Sequence, residues 1–302
     1  MTASLTVNSA SRRGAGMAFA ALVFGALAMA ISPTFVRWTD VGPFTSAFWR
    51  VLLALPALYF WMRLSERGLD RAETAKASFS KPIWLAGLAF AGDLLCWHVS
   101  ILTTSVANAT FFATTAPVWV IVFGWLLLRQ RVGLETLAGV ACCLIGGGAL
   151  VAETLRVRPA GAPGDLEGLA TGVFFGLYFL AMQAARRNTS AARATYESTI
   201  VTAAILFVVA VVAERQMWPR SWTGALALIG MAWISHAGGQ GLLAVALGRL
   251  PAAFSSLVIF LEAIAAAGLA YLLLGEPVSR VQALGGLLII VGIYVARPRA
   301  KG

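Results

Sequence analysis

The stretch MAFAALVFGALAMAISPTFV, residues 17–36, carries no charged side chain. About twenty helical residues rise roughly 30 Å, the thickness of the hydrocarbon core of a bilayer. The pattern returns along the whole chain, so that ten apolar segments can be marked at 15–37, 44–62, 82–103, 105–128, 133–152, 165–185, 194–213, 222–247, 251–274 and 279–296. Few folds are open to such a chain. In lipid every backbone N–H and C=O must find its partner inside the protein, which leaves helices or closed barrels. Barrel strands are shorter and alternate in polarity. The chain therefore reads as an all-α integral membrane protein with ten transmembrane helices.

The charges agree. Only 12% of residues are charged, about half the usual share of a soluble domain. A formal net charge of +10 would first suggest nucleic acid, but the Lys and Arg residues sit in short segments between apolar blocks, with no basic groove and no interleaved aromatics. No nucleic-acid partner is expected. With the N-terminus in the cytoplasm, sixteen Lys and Arg fall on the cytoplasmic side and six on the outer side, a positive-inside bias that puts both chain ends in the cytoplasm. Arg12 and Arg13, followed by an apolar run and Ala28-Met29-Ala30, could pass for a signal peptide with its cleavage site. The run continues to Val36, however, which is long enough to span, and its loss would break the repeat described next. Cys96, Cys142 and Cys143 all lie in apolar blocks without metal-ligand spacing and read as small buried hydrophobes.

Laid over itself, the chain repeats. LLLRQRV (126–132) lies over LLLGEPV (272–278), an offset of 146 residues that also brings Gly139 over Gly285, Gly146 over Gly292 and NATFF over FSSLV. Earlier in each half, VFGALAMAIS resembles FFGLYFLAMQ. The resulting layout is a cytoplasmic tail at 1–14, a five-helix repeat at 15–153, a periplasmic linker at 154–164, a second repeat at 165–297 and a cytoplasmic tail at 298–302. Five is odd, so the second half must be inverted relative to the first. Inverted repeats are the build of many secondary transporters, because two similar halves facing opposite ways give conformations open to either side.

Ionisable residues inside the spans cost roughly 2.5–3.5 kcal/mol each on insertion scales and therefore face a cavity or a partner. In GDLLCWHVS (92–100), Asp93, Trp97 and Ser100 share one helical face, with His98 at its edge. Asp93 falls over Gly239, beside Gln240 and one turn after His236. Glu262 sits mid-segment in SSLVIFLEAIAAAG. With Asn108, Tyr178 and Gln183 these residues make the candidate binding site: Asp93 or Glu262 for an ammonium, His236, Gln240 and Asn108 for a carboxylate, Trp97 and Tyr178 as an apolar wall. His98, His236, Asp93 and Glu262 could also carry protons. Arg50 reads as snorkelling or paired with a carboxylate, with binding of a substrate carboxylate as the alternative. Pro33, Pro117 and Pro251 interrupt helix bonding and are hinge candidates. The Gly-rich, unpolar helices 5 and 10 read as packing or dimer surfaces outside the cavity. No phosphate-binding loop, no GxSxG and no HExxH is present, so neither an ATP engine nor an enzyme is expected, and no cofactor or metal.

LGEPVSRVQALGGLLIIVGIYV, FWRVLLAL and the two inverted halves resemble the drug/metabolite transporter superfamily of EamA type, over about residues 15–297. In the first half Arg131 stands where the family carries an acidic residue. Within the superfamily the chain is most similar to bacterial amino-acid exporters, including the aromatic-amino-acid exporter. The resemblance implies a central cavity lined mainly by helices 1, 3, 4, 6, 8 and 9 and a multi-pass protein of the bacterial inner membrane. It implies export of small metabolites, amino acids foremost, by alternating access. Export of drugs or nucleosides, or an intramembrane enzyme or lipid scramblase, are the alternatives.

Overall fold

The computed structural model describes residues 2–68, 78–104, 106–157, 162–274 and 278–298, and the side chains of 14–68, 78–104, 109–150, 163–265, 267–269 and 278–298 within them. Their regular structure is helical throughout. Helix α1 runs over Thr2–Ala30 and Ser32–Trp38, α2 over Pro43–Leu52 and Leu55–Ser65, α3 over Lys81–Thr103, and α4 over Val106–Ala113 and Ala116–Leu128. Then come α5 (Leu134–Val157), α6 (Ala162–Ala185) and α7 (Ala191–Ala213). Helix α8 joins Trp222–Gly230, a π-helical Met231–Gln240 and Gly241–Leu247; α9 joins Ala252–Val258 and Leu261–Leu274; α10 is Arg280–Val295. Eight of these are long and apolar enough to cross a bilayer, and α5 and α10 are the shorter apolar helices.

Local chemistry sets the helix starts. Proline stands in the first turn after each break in α1, α2 and α4, where its missing N–H is not needed. Ser190 and Ser221 accept from the backbone N–H of Arg193 and Gly224, and Ser279 forms a capping box with Gln282, satisfying otherwise orphaned donors. The breaks in α4 and α9 fall at Thr114–Thr115 and Ile259–Phe260, one residue from coincidence at the offset of the repeat. In α4, Thr114 and Thr115 donate their hydroxyls to Phe111 O and Phe112 O. In α9 the break contains no proline; its hydrogen bonds shorten to i−3, as in Glu262 N–H to Ile259 O and Ala263 N–H to Phe260 O.

The packing repeats as the sequence does. Helix α3 lies along α6 as α8 lies along α1, α4 on α6 as α9 on α1, while α5 pairs with α10 and α2 with α7. Exchanging the first five helices for the last five returns the same set of pairs, the mark of a twofold axis between the halves. The α5–α10 seam shows it at atomic scale. A Cβ on Gly146 would stand 2.5 Å from Gly285 O and one on Gly285 2.6 Å from Gly146 O; Gly139 and Gly292 meet in the same reciprocal way at 2.6 and 2.7 Å. The small-residue faces expected to pack or dimerise are thus engaged with each other within the chain.

Helices α2 and α7 are fastened to each other at both ends, each by the glutamate at its own C-terminal end. Glu66, at the end of α2, takes two hydrogen bonds of 2.6 Å from Arg193 in the first turn of α7. Glu214, at the end of α7, accepts from the backbone N–H of Phe44 and Thr45 in the first turn of α2, at 2.9 and 3.0 Å. Beside it, Asp40 accepts from the N–H of Arg220 and Ser221 at the head of α8. What desolvation exists there works upward on its carboxyl, but the bonds from Ser221 and Arg220 outweigh it and hold the group below its usual range. Glu214→Ala removes a carboxylate cap and is expected to cost about 1 kcal/mol, read as a lower melting temperature of the detergent-solubilised protein by tryptophan fluorescence. An unchanged melting curve would mean that this end of the α2–α7 pair is held by other contacts.

Candidate functional site

Between the halves, seven helices converge on a cavity of about 40 Å³, lined by Met29 and Ser32 of α1, Arg50 of α2, Asp93, Leu94 and Trp97 of α3, Thr110, Ala113 and Thr114 of α4, Thr171 and Phe175 of α6, Gln240 of α8, and Ile259 and Glu262 of α9. The wall takes its shape from the helix breaks. Ser32 follows the break of α1, Thr114 stands at that of α4, Ile259 stands at that of α9 with Glu262 just after it, and Gln240 closes the π-helical turns of α8. Discontinuous helices at mid-membrane are tolerated where the freed backbone is buried or lines a cavity. A volume of this size has room for roughly three waters, so a metabolite can enter only as the surrounding helices separate.

Three ionisable groups face this space. Arg50 is 4% exposed and Asp93 6%; Glu262 is half-buried. The charges of Asp93 and Glu262 both reach Arg50, yet neither approaches it within 4 Å; the ion pairs among the described residues are those of Arg193 with Glu66 and Glu197. Instead the guanidinium carbon of Arg50 lies over the Trp97 ring, 5.3 Å from its centroid, within cation–π range. Ser32 Oγ, Thr110 Oγ1, Arg50 Nε and Gln240 Oε1 are buried with no hydrogen-bond partner. Gln240 donates its Nε2–H to Met29 Sδ at 3.3 Å, so the amide turns an acceptor into the cavity. The wall combines one cation, two carboxylates, several hydroxyls and the apolar faces of Trp97 and Phe175.

Asp93, Trp97, Gln240 and Glu262, four of the residues singled out by sequence, are brought together here. Others are placed elsewhere. His98 is fully buried and its Nδ1 pairs with Ser46 Oγ at 2.8 Å, tying α3 to α2. His236 pairs through Nε2 with Thr199 Oγ1 at 2.9 Å and packs on Phe90, tying α8 to α7. These are corresponding helix pairs in the two halves, and both imidazoles bind helix to helix where a wall of the cavity was expected. Tyr178 is sandwiched between Phe90 and Phe175. Gln183 donates to Leu250 O at the α8–α9 turn. The side chain of Asn108 lies outside the described residues. Pro33 and Pro117 sit at the breaks of α1 and α4, and Pro251 is the N-cap of α9.

Arg50 is the residue whose surroundings the sequence left open. Its side chain is buried, forms no ion pair within 4 Å and turns inward beside Trp97, and it brings α2 into a wall expected from helices 1, 3, 4, 6, 8 and 9. The signal was its position in FWRVLLAL, two turns inside an apolar helix. No group of three or more His, Cys, Asp or Glu that could hold a metal occurs among the described residues.

The EamA-like transporter family matches over residues 15–151 and again over 162–297. An uncharacterised transporter of Archaeoglobus fulgidus is 26% identical over 281 residues, which span 92% of this chain and 95% of that protein. A solved crystal structure matches with a TM-score of 0.74 at 20% identity, over 94% of this chain and 97% of its own, a likeness of fold.

Proposed function

The chain belongs to the EamA-like transporter family, and from that premise we propose that it is a secondary transporter exporting small metabolites, amino acids foremost, by alternating access across the bacterial inner membrane. The observation that carries the reading is the cavity between the halves, with a cation, two carboxylates and two aromatic rings gathered where isolated charges would be costly. Such a wall suits a solute that is charged at one end or both and apolar along its side. Asp93 and Glu262 would receive an ammonium, with Gln240 Oε1 as a further acceptor; Trp97 and Phe175 would meet the side chain. The paired breaks in α4 and α9 give each half a point at which its gate can bend, and the twofold relation makes the two open forms similar in energy. Both chain ends would lie in the cytoplasm, as the excess of Lys and Arg in the loops on that side supports.

Reconstitution into liposomes tests the proposal. Counterflow of labelled amino acids, aromatic ones included, is expected to exceed that of protein-free liposomes, while labelled nucleosides and cationic dyes stay at background. A panel in which only nucleosides or dyes exchange would keep the transporter and discard the substrate class. Scrambling of a fluorescent lipid without solute exchange would discard both.

A further inference from the structure

We propose that Arg50 is the anion-binding residue of the cavity, taking the carboxylate of a zwitterionic solute whose ammonium lies against Asp93 and Glu262. This rests on the transport reading and adds the recognition chemistry to it.

An arginine 4% exposed in mid-membrane is retained against a substantial desolvation penalty, which good ion-pair geometry can offset. Arg50 has no such geometry: it forms no ion pair within 4 Å and no hydrogen bond among the described residues, and its Nε is buried without a partner. A residue serving only to neutralise Asp93 and Glu262 should bond to at least one of them. What fixes Arg50 is Trp97, under the guanidinium at 5.3 Å. Contact through the flat face leaves the N–H donors at the rim unspent. Those donors form a planar fork matching the two oxygens of a carboxylate, and a bidentate pair of this kind is among the stronger hydrogen-bonded contacts a protein makes.

The remaining wall fits the other end of the solute. Trp97 is one helical turn from Asp93 on the same face of α3, so the surface that holds the cation is bonded to the helix that carries the first carboxylate. Glu262 enters from α9, and Gln240 Oε1, which can only accept, is free. Ser32 Oγ and Thr110 Oγ1, also unpartnered, can donate or accept a hydrogen bond at either end. One donor fork and a group of acceptors in one small chamber describe a receptor for an α-amino acid with a free carboxyl group.

The test uses wild type, Arg50→Gln and Arg50→Lys, each checked for a single symmetric gel-filtration peak and a wild-type melting temperature. Four probes separate the solute's ends: L-phenylalanine, L-phenylalaninamide, phenethylamine and 3-phenylpropionate. Arg50→Gln is expected to raise the KM of L-phenylalanine and 3-phenylpropionate counterflow by about tenfold or more and to leave that of the amide and the amine unchanged or lower. Arg50→Lys should recover part of the difference, because it restores the charge without the fork. Equal losses for all four probes, or none for any, would overturn the proposal in favour of a structural role. Binding of the same probes in detergent, read by intrinsic tryptophan fluorescence, separates the two readings. Carboxylate-dependent binding without flux keeps Arg50 as anion anchor and discards transport of these solutes; flux with no preference for a carboxylate discards the anchor and keeps transport; neither binding nor flux discards both.

Discussion

Asp93→Asn and Glu262→Gln are each expected to slow counterflow of amine-bearing amino acids by about 10- to 100-fold, the loss that follows when a hydrogen bond to a charged group worth roughly 1.5–3 kcal/mol is weakened. Both substitutions keep the shape of the side chain, so the cavity stays filled. Each single variant also leaves one carboxylate within reach of Arg50 and should melt near the wild-type temperature. The double variant differs: no carboxylate would then lie within reach of the buried Arg50 cation, and a lower melting temperature is expected. The pattern to look for is therefore two stable, slow single variants and one unstable double variant. If both single variants exchanged amino acids at the wild-type rate, neither carboxylate would touch the solute and the site would have to be sought elsewhere.

Gly146→Leu is expected to abolish accumulation of folded protein. A Cβ there would stand 2.5 Å from Gly285 O and 2.9 Å from Ile289 Cγ1. The first obstacle is backbone and cannot rotate away, so α5 and α10 must part along the seam that joins the halves. Overpacking of a tight core costs typically ~1–3 kcal/mol, and this case belongs at the upper end, in a fold whose whole stability is on the order of 5–15 kcal/mol. Two residues along the same helix, Gly148 has only Phe111 Cζ near, at 3.9 Å, so Gly148→Ala serves as the control. Membrane-extracted yield and melting temperature would be compared. Wild-type yield from Gly146→Leu would mean that the α5–α10 seam is not tight in the folded protein.

The fold was legible because its rules are coarse. Twenty-residue apolar blocks, an offset of 146 that superposes the glycines of α5 and α10, and an odd number of spans in each half suffice for two inverted sets of helices. The π-helical stretch of α8 was not legible: SHAGGQ permits it, through Gly238 and Gly239, without demanding it. The break of α9 carries no proline and is visible only through its counterpart, the threonine pair before Pro117. The site was legible in part. Periodicity says which residues share a face, and Asp93 and Trp97 do share one. It does not say which neighbour that face meets. Ser100, on the same stripe, gives its hydroxyl to Gly164 O of α6, and the two histidines, the most conspicuous polar residues in their helices, turn to Ser46 and Thr199. Arg50 stayed open between snorkelling, a carboxylate partner and a solute for the same reason, since snorkelling and facing inward differ by a rotation that a single sequence does not encode.

The paired carboxylate clamps on α2 and α7 bear on how such a molecule would move. Two antiparallel helices pinned to each other at both ends resist scissoring, and Arg50 is mounted on the segment pinned by Glu214. In an exchange between inward and outward forms, that guanidinium would be the stationary point, while the carboxylates of α3 and α9 swing past it with the rest of the bundle. The solute would then change sides by having its surroundings revolve about one fixed positive charge.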